Sequence, residues 1–288
     1  MKINLIYEDF LKKLAYYKEK GWIKLLYRGI DEEFAFKLFT LDIECDSISQ
    51  FAERLFFYGE KSRYFWQQKT GRKFLINDIS DSVFDYIFDL FNQIALKNDV
   101  KAGTIRYKSL NKSVFFFFLN ENNRDVFNKK INLLNTEEKK QYRNYYFRII
   151  HQLGETDYKE SSIYFSSSSA ERVAKKFSKR GIIANFWDID FKNFLFIKKS
   201  VPFFNGRPYK TQKEISVFSA IFPHYIYSFK YKDKLYLNPA LFASQDMDSM
   251  ILNGFDIDQA NFDKKLIIET NFQIGIQKNG DKYMEIKS

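Results

Sequence analysis

Residues 164–187 have the sequence YFSSSSAERVAKKFSKRGIIANFW, and this stretch carries the strongest indication of the fold class. It predicts a short strand at 163–165, a run of serines, a helix at 170–178 and an apolar strand at 182–187. Short strands that are interrupted by helices are typical of a mixed α+β domain, in which helices flank a largely antiparallel sheet.

The rest of the chain continues this pattern outward in both directions. Apolar residues at helical spacing predict helices at 7–20, 46–58, 80–97 and 136–153. Apolar segments of strand length lie at 22–27, 113–119, 193–197, 214–222 and 224–231. Asn279-Gly280, between 272–277 and 282–287, predicts a hairpin.

These elements suggest three successive parts of the chain. Residues 1–21 form an N-terminal helix, and 22–240 form the main domain with a helical insertion around 46–153. Residues 241–288 form a C-terminal extension with a β-hairpin.

The composition excludes several classes of protein. One cysteine, Cys45, excludes a disulfide scaffold and a cysteine-based zinc cluster, and two histidines leave little room for a histidine-rich metal site. No apolar run approaches the roughly 20 residues of a membrane span. Acidic residues stand where a signal peptide would be apolar, so we expect a cytoplasmic protein, or one exported by a route that needs no cleaved signal, with no membrane partner.

Three short segments carry the candidate chemistry. In the first, a predicted strand ends at Arg28, and Gly29 allows a sharp turn of the backbone. In the second, the serine run follows Tyr164 and precedes a helix. In the third, Gln212 and Glu214 point the same way, because side chains alternate along a strand.

In this order and setting, the three segments resemble the motifs of mono-ADP-ribosyltransferases of the Arg–Ser–Glu type. Those enzymes have an arginine at the end of an early strand, an aromatic–apolar–Ser–Thr–Ser motif on a central strand, and a later Glu–x–Glu or Gln–x–Glu. The resemblance spans about residues 22–240. It implies a split, mixed or antiparallel β-sandwich of the ADP-ribosyltransferase type, flanked by helices and a helical insertion, that binds NAD as a substrate in its cleft and needs no metal.

The resemblance also implies roles for individual residues. Arg28 would bind the NAD phosphates, Ser166 would support the nicotinamide ribose and the catalytic glutamate, and Ser168 would help to fix the loop. Glu214 would bind a ribose hydroxyl and stabilise the oxocarbenium-like state, and Gln212 would orient the acceptor. The implied NAD-binding residues are Arg28, Gly29, Tyr164, Ser166, Ser167 and Ser168, and the implied catalytic residues are Ser166, Gln212 and Glu214.

A second arginine competes for the phosphate-binding role. Arg28 and Ser166 are further apart in sequence than is usual for the family, and Arg106 lies closer to the serine run. The preceding strand and Gly29 favour Arg28, and Arg106 remains the alternative.

The acceptor is indicated by Gln212 and by the charge distribution. In the family, glutamine at this position accompanies modification of asparagine or of a guanine base, which argues against an arginine acceptor. Residues 101–150 contain 11 Lys or Arg and 4 Asp or Glu, within a chain of net charge +10. Basic and aromatic residues interleave on the helix at 136–153, where Lys139, Lys140, Arg143 and Arg148 are candidate acceptor-binding residues. A solvated helix face over an aromatic core explains the same pattern.

Taken together, these features predict an NAD-dependent mono-ADP-ribosyltransferase of bacterial or phage type, acting as a toxin or as an anti-phage effector. It would transfer ADP-ribose to an RNA or DNA base with release of nicotinamide, and an antitoxin protein is a possible partner. The alternatives are ADP-ribosylation of a protein side chain, an NAD glycohydrolase on the same fold, and a non-enzymatic nucleic-acid-binding protein.

Overall fold

The computed structural model describes most of the chain up to residue 238 and a short segment near its end. The described residues are 3–31, 47–48, 51–52, 55–56, 59, 78–156, 158, 162, 164–179, 181–188, 200–209, 214–218, 221, 225–232, 234–238 and 285–287. Gln212, Cys45 and His224, and the strands predicted at 193–197 and 272–277, lie outside them.

The chain divides into two compact units. Unit 1 comprises residues 1–66, 167–192 and 220–288, and unit 2 comprises 67–166 and 193–219. The helices are α1 (Ile3–Glu19), α2 (Asp81–Leu96), α3 (Ala102–Leu110), α4 (Lys112–Leu119), α5 (Asn123–Asn132), α6 (Thr136–Leu153) and α7 (Glu171–Ser178). The strands are β1 (Lys24–Ile30), β2 (Tyr164–Ser168), β3 (Ile182–Asp188), β4 (Glu214–Phe218), β5 (Ile226–Tyr231), β6 (Lys234–Leu237) and β7 (Glu285–Lys287).

Unit 1 is built on an antiparallel sheet whose strand order is β2-β1-β3-β5-β6-β7. Of β2, only Ser167 and Ser168 belong to this unit, and Ser168 pairs with Tyr27 of β1. β1 and β3 pair along their whole length, from Lys24 opposite Asp188 to Ile30 opposite Ile182. The mixed α+β class, with an antiparallel sheet and flanking helices, is therefore confirmed.

Gly29 is a packing residue of this sheet. It lies inside β1 opposite Ile183, and not at a turn, so the predicted sharp turn is wrong. A Cβ atom built on Gly29 would overlap the backbone carbonyl oxygen of Ala174 and would lie 2.9 Å from the backbone nitrogen of Ser178. Only a residue without a side chain allows α7 to approach β1 this closely.

Unit 2 is a helical bundle around an aromatic core. The ring of Phe91 stacks on Phe118 and is tilted against Phe204, with centroids 4.8 Å apart in each pair, and the ring of Tyr146 lies 5.6 Å from Phe91. Rings at these separations contribute packing energy beyond their buried area. In unit 2, β4 lies next to β2.

Helix α6 runs through this core with well-defined ends. At its start, Asn135 accepts a hydrogen bond from the backbone of Glu138, and the Glu138 carboxylate accepts one from the backbone of Asn135, which forms a capping box. At its end, Gly154 adopts the left-handed conformation with φ 63°. The helix predicted at 136–153 is confirmed with the same bounds.

The strand predicted at 113–119 is wrong, because these residues form helix α4. Phe115 and Phe118 are buried, three positions apart, whereas Phe116 is 56% exposed. That spacing matches one face of a helix, and a continuous apolar run does not distinguish this face from a buried strand.

The described helices include none that is both long and apolar enough to span a lipid bilayer.

We expect Gly29→Ala to lower the free energy of unfolding by about 1–3 kcal/mol, because its new methyl group overlaps backbone atoms of α7. Denaturant unfolding measures the change. Ala174→Gly is the matched second variant. It removes a side chain but leaves the overlapping carbonyl in place, so it should not rescue Gly29→Ala in the double variant. Stability equal to the wild type, or rescue by Ala174→Gly, would contradict this packing of α7 on β1.

We also expect stability to fall at alkaline pH. Burial raises the pKa of Tyr164 from 10.0 to about 12, although Arg148 and Arg143 lower it in part. Burial likewise raises the pKa of Tyr107, Tyr145 and Tyr146. The folded state favours the neutral phenols, so this stabilisation is complete below about pH 10 and is lost as the pH rises through about 12. Unfolding free energies and tyrosinate absorbance, measured across this range, should change together. Constant stability would disprove the expectation.

Candidate functional site

Ser166 and Glu214 meet in unit 2 although 48 positions separate them in sequence. Ser166 lies on β2, Glu214 is the first residue of β4, and the two strands are neighbours. The Ser166 hydroxyl donates a hydrogen bond of 2.7 Å to Oε1 of Glu214. A short O–H···O bond to a carboxylate is among the stronger hydrogen bonds in proteins.

A second hydroxyl donates to the same oxygen. Ser216 lies two positions after Glu214 on β4, so the two side chains share a face of the strand. Its Oγ donates to Oε1 of Glu214 at 3.4 Å and accepts from Nε2 of Gln152 at 3.1 Å. Gln152 thereby holds the Ser216 hydroxyl in place from helix α6.

His151 is the functional candidate that sequence analysis missed. Its Nε2 lies 3.0 Å from Oγ of Ser166 and 3.9 Å from Oε1 of Glu214, and the residue is 7% exposed. In the sequence it is one histidine in the last turn of a helix, with no motif around it. Its importance comes from the packing of α6, which a sequence pattern does not contain.

The packing of α6 along β2 explains how His151 reaches Ser166. Tyr164 and Ser166 share one face of β2, and the Tyr164 hydroxyl donates to the backbone carbonyl of Asn144 at 2.9 Å. Asn144 and His151 are seven positions apart, about two helical turns, so they lie on the same face of α6. The Tyr164 hydrogen bond therefore fixes α6 along β2 in the position that brings His151 next to Ser166.

The surroundings of Glu214 remove most of its contact with water. Its side chain is 11% exposed, and burial of a carboxylate is costly unless hydrogen bonds compensate for the lost hydration. The hydroxyls of Ser166 and Ser216 provide such bonds. They orient the carboxylate without placing a positive charge on it themselves.

Arg148 places a positive charge on the same face of α6. It precedes His151 and Gln152 by about one turn, and its side chain is exposed. Its charge lowers the pKa of Tyr164 in part, against the larger effect of burial. Within the described part of the chain, Arg148 forms no ion pair with a carboxylate.

The remaining predicted NAD-binding residues divide between the units. Arg28, Gly29, Ser167 and Ser168 belong to unit 1, whereas Tyr164, Ser166 and Glu214 belong to unit 2. The Ser168 hydroxyl accepts a hydrogen bond of 3.1 Å from the backbone of Ala170, and this bond fixes the loop that leads into α7.

The two competing arginines differ in their local structure. Arg28 is half-buried, lies two residues before the end of β1, and shares a strand face with the buried Leu26 and Ile30. Arg106 is exposed on helix α3. The strand setting that the family motif requires is thus present at Arg28 and absent at Arg106.

The predicted acceptor-binding helix is largely part of the core. Arg143 is 2% exposed and donates hydrogen bonds to the Asp78 carbonyl and the Asn144 side chain, so we remove it from the acceptor-binding candidates. The aromatic residues interleaved with it, Tyr142, Tyr145, Tyr146 and Phe147, are buried as well. They are not available to stack on bases.

The basic residues of α6 that reach solvent are Lys139, Lys140 and Arg148. Lys139 donates a 2.7 Å hydrogen bond to Asn132. Gln212, the predicted acceptor-orienting residue, lies outside the described residues.

The order of the three groups argues against a serine hydrolase. In such an enzyme the imidazole accepts the serine proton, and the carboxylate bonds the opposite nitrogen, Nδ1. Here Nε2 faces both Ser166 and Glu214, and Ser166 donates its proton to Glu214. The arrangement therefore differs from a Ser–His–carboxylate triad, and the serine hydroxyl orients the carboxylate.

No group of three or more His, Cys, Asp or Glu side chains among the described residues is placed to hold a metal ion.

Comparisons with known proteins found no counterpart: no protein-family model, no curated protein and no solved structure matches this chain.

Proposed function

We propose that this protein is an NAD-dependent mono-ADP-ribosyltransferase in which Glu214 is the catalytic carboxylate. The contact between Ser166 and Glu214, 2.7 Å long, is the observation that carries the proposal. The family resemblance assigns to Ser166 the support of the catalytic glutamate, and the two side chains are in contact although 48 positions separate them. Local sequence does not require two residues so far apart to touch, so the contact supports the resemblance independently.

The site is suited to cleavage of the bond between nicotinamide and ribose. When this bond breaks, its electron pair leaves with the uncharged nicotinamide, and positive charge develops on the ribose. A fixed and largely desolvated carboxylate stabilises that charge more effectively than a mobile, hydrated one. The acceptor nucleophile then bonds to the ribose carbon and loses a proton.

Arg28 is the proposed ligand of the NAD diphosphate. Its planar guanidinium offers two parallel donors to a phosphate, and its position on β1 follows the family motif. Arg106, on helix α3, is the alternative.

A nucleic acid remains the proposed acceptor, bound by fewer residues than the sequence suggests. Arg148 is the best candidate, because its exposed guanidinium lies on the face of α6 that carries His151 and Gln152. A phosphodiester close to the reacting ribose would provide the anion that this arginine lacks within the described residues. Lys140 is the second candidate, and Gln212 would orient the acceptor base.

An activity of this kind would be toxic inside a cell, since NAD is consumed and nucleic acid is modified. A role as a toxin or an anti-phage effector, with an antitoxin as partner, fits the proposed chemistry.

The activity is tested by incubating the protein with NAD labelled in its adenine part and, separately, with RNA, DNA and protein pools. We expect nicotinamide release and label in one nucleic-acid pool. Glu214→Gln keeps the size of the side chain but removes its charge, and we expect it to lower the rate by at least about 100-fold.

Each other result of this experiment has a defined meaning. Label in protein would reassign the acceptor, and nicotinamide release without label would indicate an NAD glycohydrolase. Salt-sensitive binding of nucleic acid with no NAD turnover would identify a binding protein and overturn the proposal. Arg148→Gln should reduce labelling of the acceptor while nicotinamide release continues, because water then captures the ribosyl cation and free ADP-ribose accumulates.

The phosphate-binding arginine is tested by comparing Arg28→Gln with Arg106→Gln. Loss of the guanidinium removes charge-assisted hydrogen bonds to phosphate, so we expect Arg28→Gln to raise KM for NAD about 10- to 100-fold. Arg106→Gln, an exposed helix substitution, should change KM by less than about twofold. The reverse result would move the phosphate-binding role to Arg106.

A further inference from the structure

Two neighbouring residues of α6 each hold one of the hydroxyls that bond Glu214. His151 contacts Oγ of Ser166, and Gln152 contacts Oγ of Ser216. Both hydroxyls donate to the same carboxylate oxygen, Oε1. Two hydrogen-bonded chains therefore start on one helical turn and converge on one atom.

In the chain from His151 through Ser166 to Glu214, the donor of each hydrogen bond follows from the number of protons available. Ser166 has one hydroxyl proton, and this proton is donated to Glu214. The bond of 3.0 Å between Ser166 and His151 must then be donated by the imidazole, so Nε2 carries a hydrogen. The neutral Nε2–H tautomer and the imidazolium both satisfy this requirement.

We propose that His151 is a positioning residue for catalysis, which fixes the catalytic glutamate through the Ser166 hydroxyl. This role rests on the proposed function, because it supposes that Glu214 is the catalytic carboxylate. A donor on His151 prevents the Ser166 hydroxyl from rotating away and giving its proton elsewhere. The carboxylate then keeps the orientation in which it meets the developing positive charge.

The burial of His151 supports this role. A side chain that is 7% exposed has lost its water and keeps one rotamer, so its N–H has a fixed direction. Its ring lies 6.2 Å from the ring of Tyr164, whose own hydroxyl is bonded to α6. Gln152 and Ser216 form the second chain, whose bond to Glu214 is longer. When the first chain is broken, this second chain would still hold the Glu214 carboxylate in part.

The first measurement is the nitrogen NMR spectrum of His151, which requires no substrate. The chain contains two histidines, so His224→Asn assigns the signals of His151 directly. We expect Nε2 to carry a proton, and we expect its shift to change in Ser166→Ala and in Glu214→Gln. An Nε2 without a proton, or a shift that both variants leave unchanged, would overturn the inference.

The second measurement is the kinetics of nicotinamide release. His151→Leu removes the donor, and we expect kcat to fall about 10- to 100-fold while KM for NAD changes little. His151→Gln places an amide N–H near the position of Nε2 and should recover most of the rate. Ile150→Val is the matched control on the same turn of α6. It trims a buried side chain outside both chains, and it should reduce thermal stability with kcat unchanged.

These results separate a positioning role from a structural one. Equal losses in His151→Leu and His151→Gln, matching the loss of stability, would show that His151 only supports the fold. Wild-type kcat in a folded His151→Leu variant would also overturn the inference. A protonated Nε2 that responds to Ser166→Ala, in a protein that releases no nicotinamide, would instead disprove the proposed function while leaving the hydrogen-bonded chain established.

Discussion

The burial of the Glu214 carboxylate is the constraint on which unit 2 depends. A carboxylate that is 11% exposed has lost most of its hydration, and folding must compensate for this loss with hydrogen bonds. The hydroxyls of Ser166 and Ser216 supply these bonds from two neighbouring strands. Hydroxyl groups rotate, so they compensate reliably only when other donors hold them. His151 and Gln152 provide these donors. Because both residues lie on α6, the geometry of the site depends on the position of this helix.

The aromatic core keeps α6 in that position. Tyr142 and Tyr146 are fully buried on this helix, and the Tyr146 hydroxyl donates a 2.6 Å hydrogen bond to the Pro202 carbonyl. The Tyr145 hydroxyl donates to the carbonyl of Phe204 at 3.0 Å. A shift of one residue along α6 would rotate its side chains by about 100° and would turn His151 away from Ser166. The abundance of phenylalanine and tyrosine in the chain thus has a direct consequence for the site.

The sequence is sufficient to predict features that depend on local periodicity or on a residue pattern. It predicts helix α6 with its observed bounds from the spacing of its residues, and the structure shows Asn135 and Gly154 capping its two ends. The resemblance to the Arg–Ser–Glu transferases selects Ser166 and Glu214 together, whereas their distance in space is not encoded in nearby residues. Helix α4, Lys112–Leu119, escapes prediction because the six consecutive apolar side chains from Val114 to Leu119 satisfy both helical and strand periodicity.

Other features escape prediction because they arise only when elements pack. Gly29 in sequence indicates a turn, but the reason for a glycine there is the backbone of α7, which approaches β1 from a distant part of the chain. The charge of Arg143 predicts a solvated face. Its guanidinium is in fact buried, where the Asp78 carbonyl and the Asn144 side chain accept its hydrogen bonds. Charge in a sequence indicates exposure only when no internal acceptors are available.

The chemical nature of the donors around Glu214 favours the stabilisation of a cation. An arginine or lysine bonded to the carboxylate would orient it equally well, but it would also cancel the negative charge that the proposed reaction needs. Hydroxyl donors such as Ser166 and Ser216 orient the carboxylate and leave its charge in place. In the low dielectric of a buried site, that charge acts strongly on a neighbouring cation. Ser166 and Ser216 therefore orient Glu214 without cancelling its charge, in a way that a bonded arginine or lysine would not.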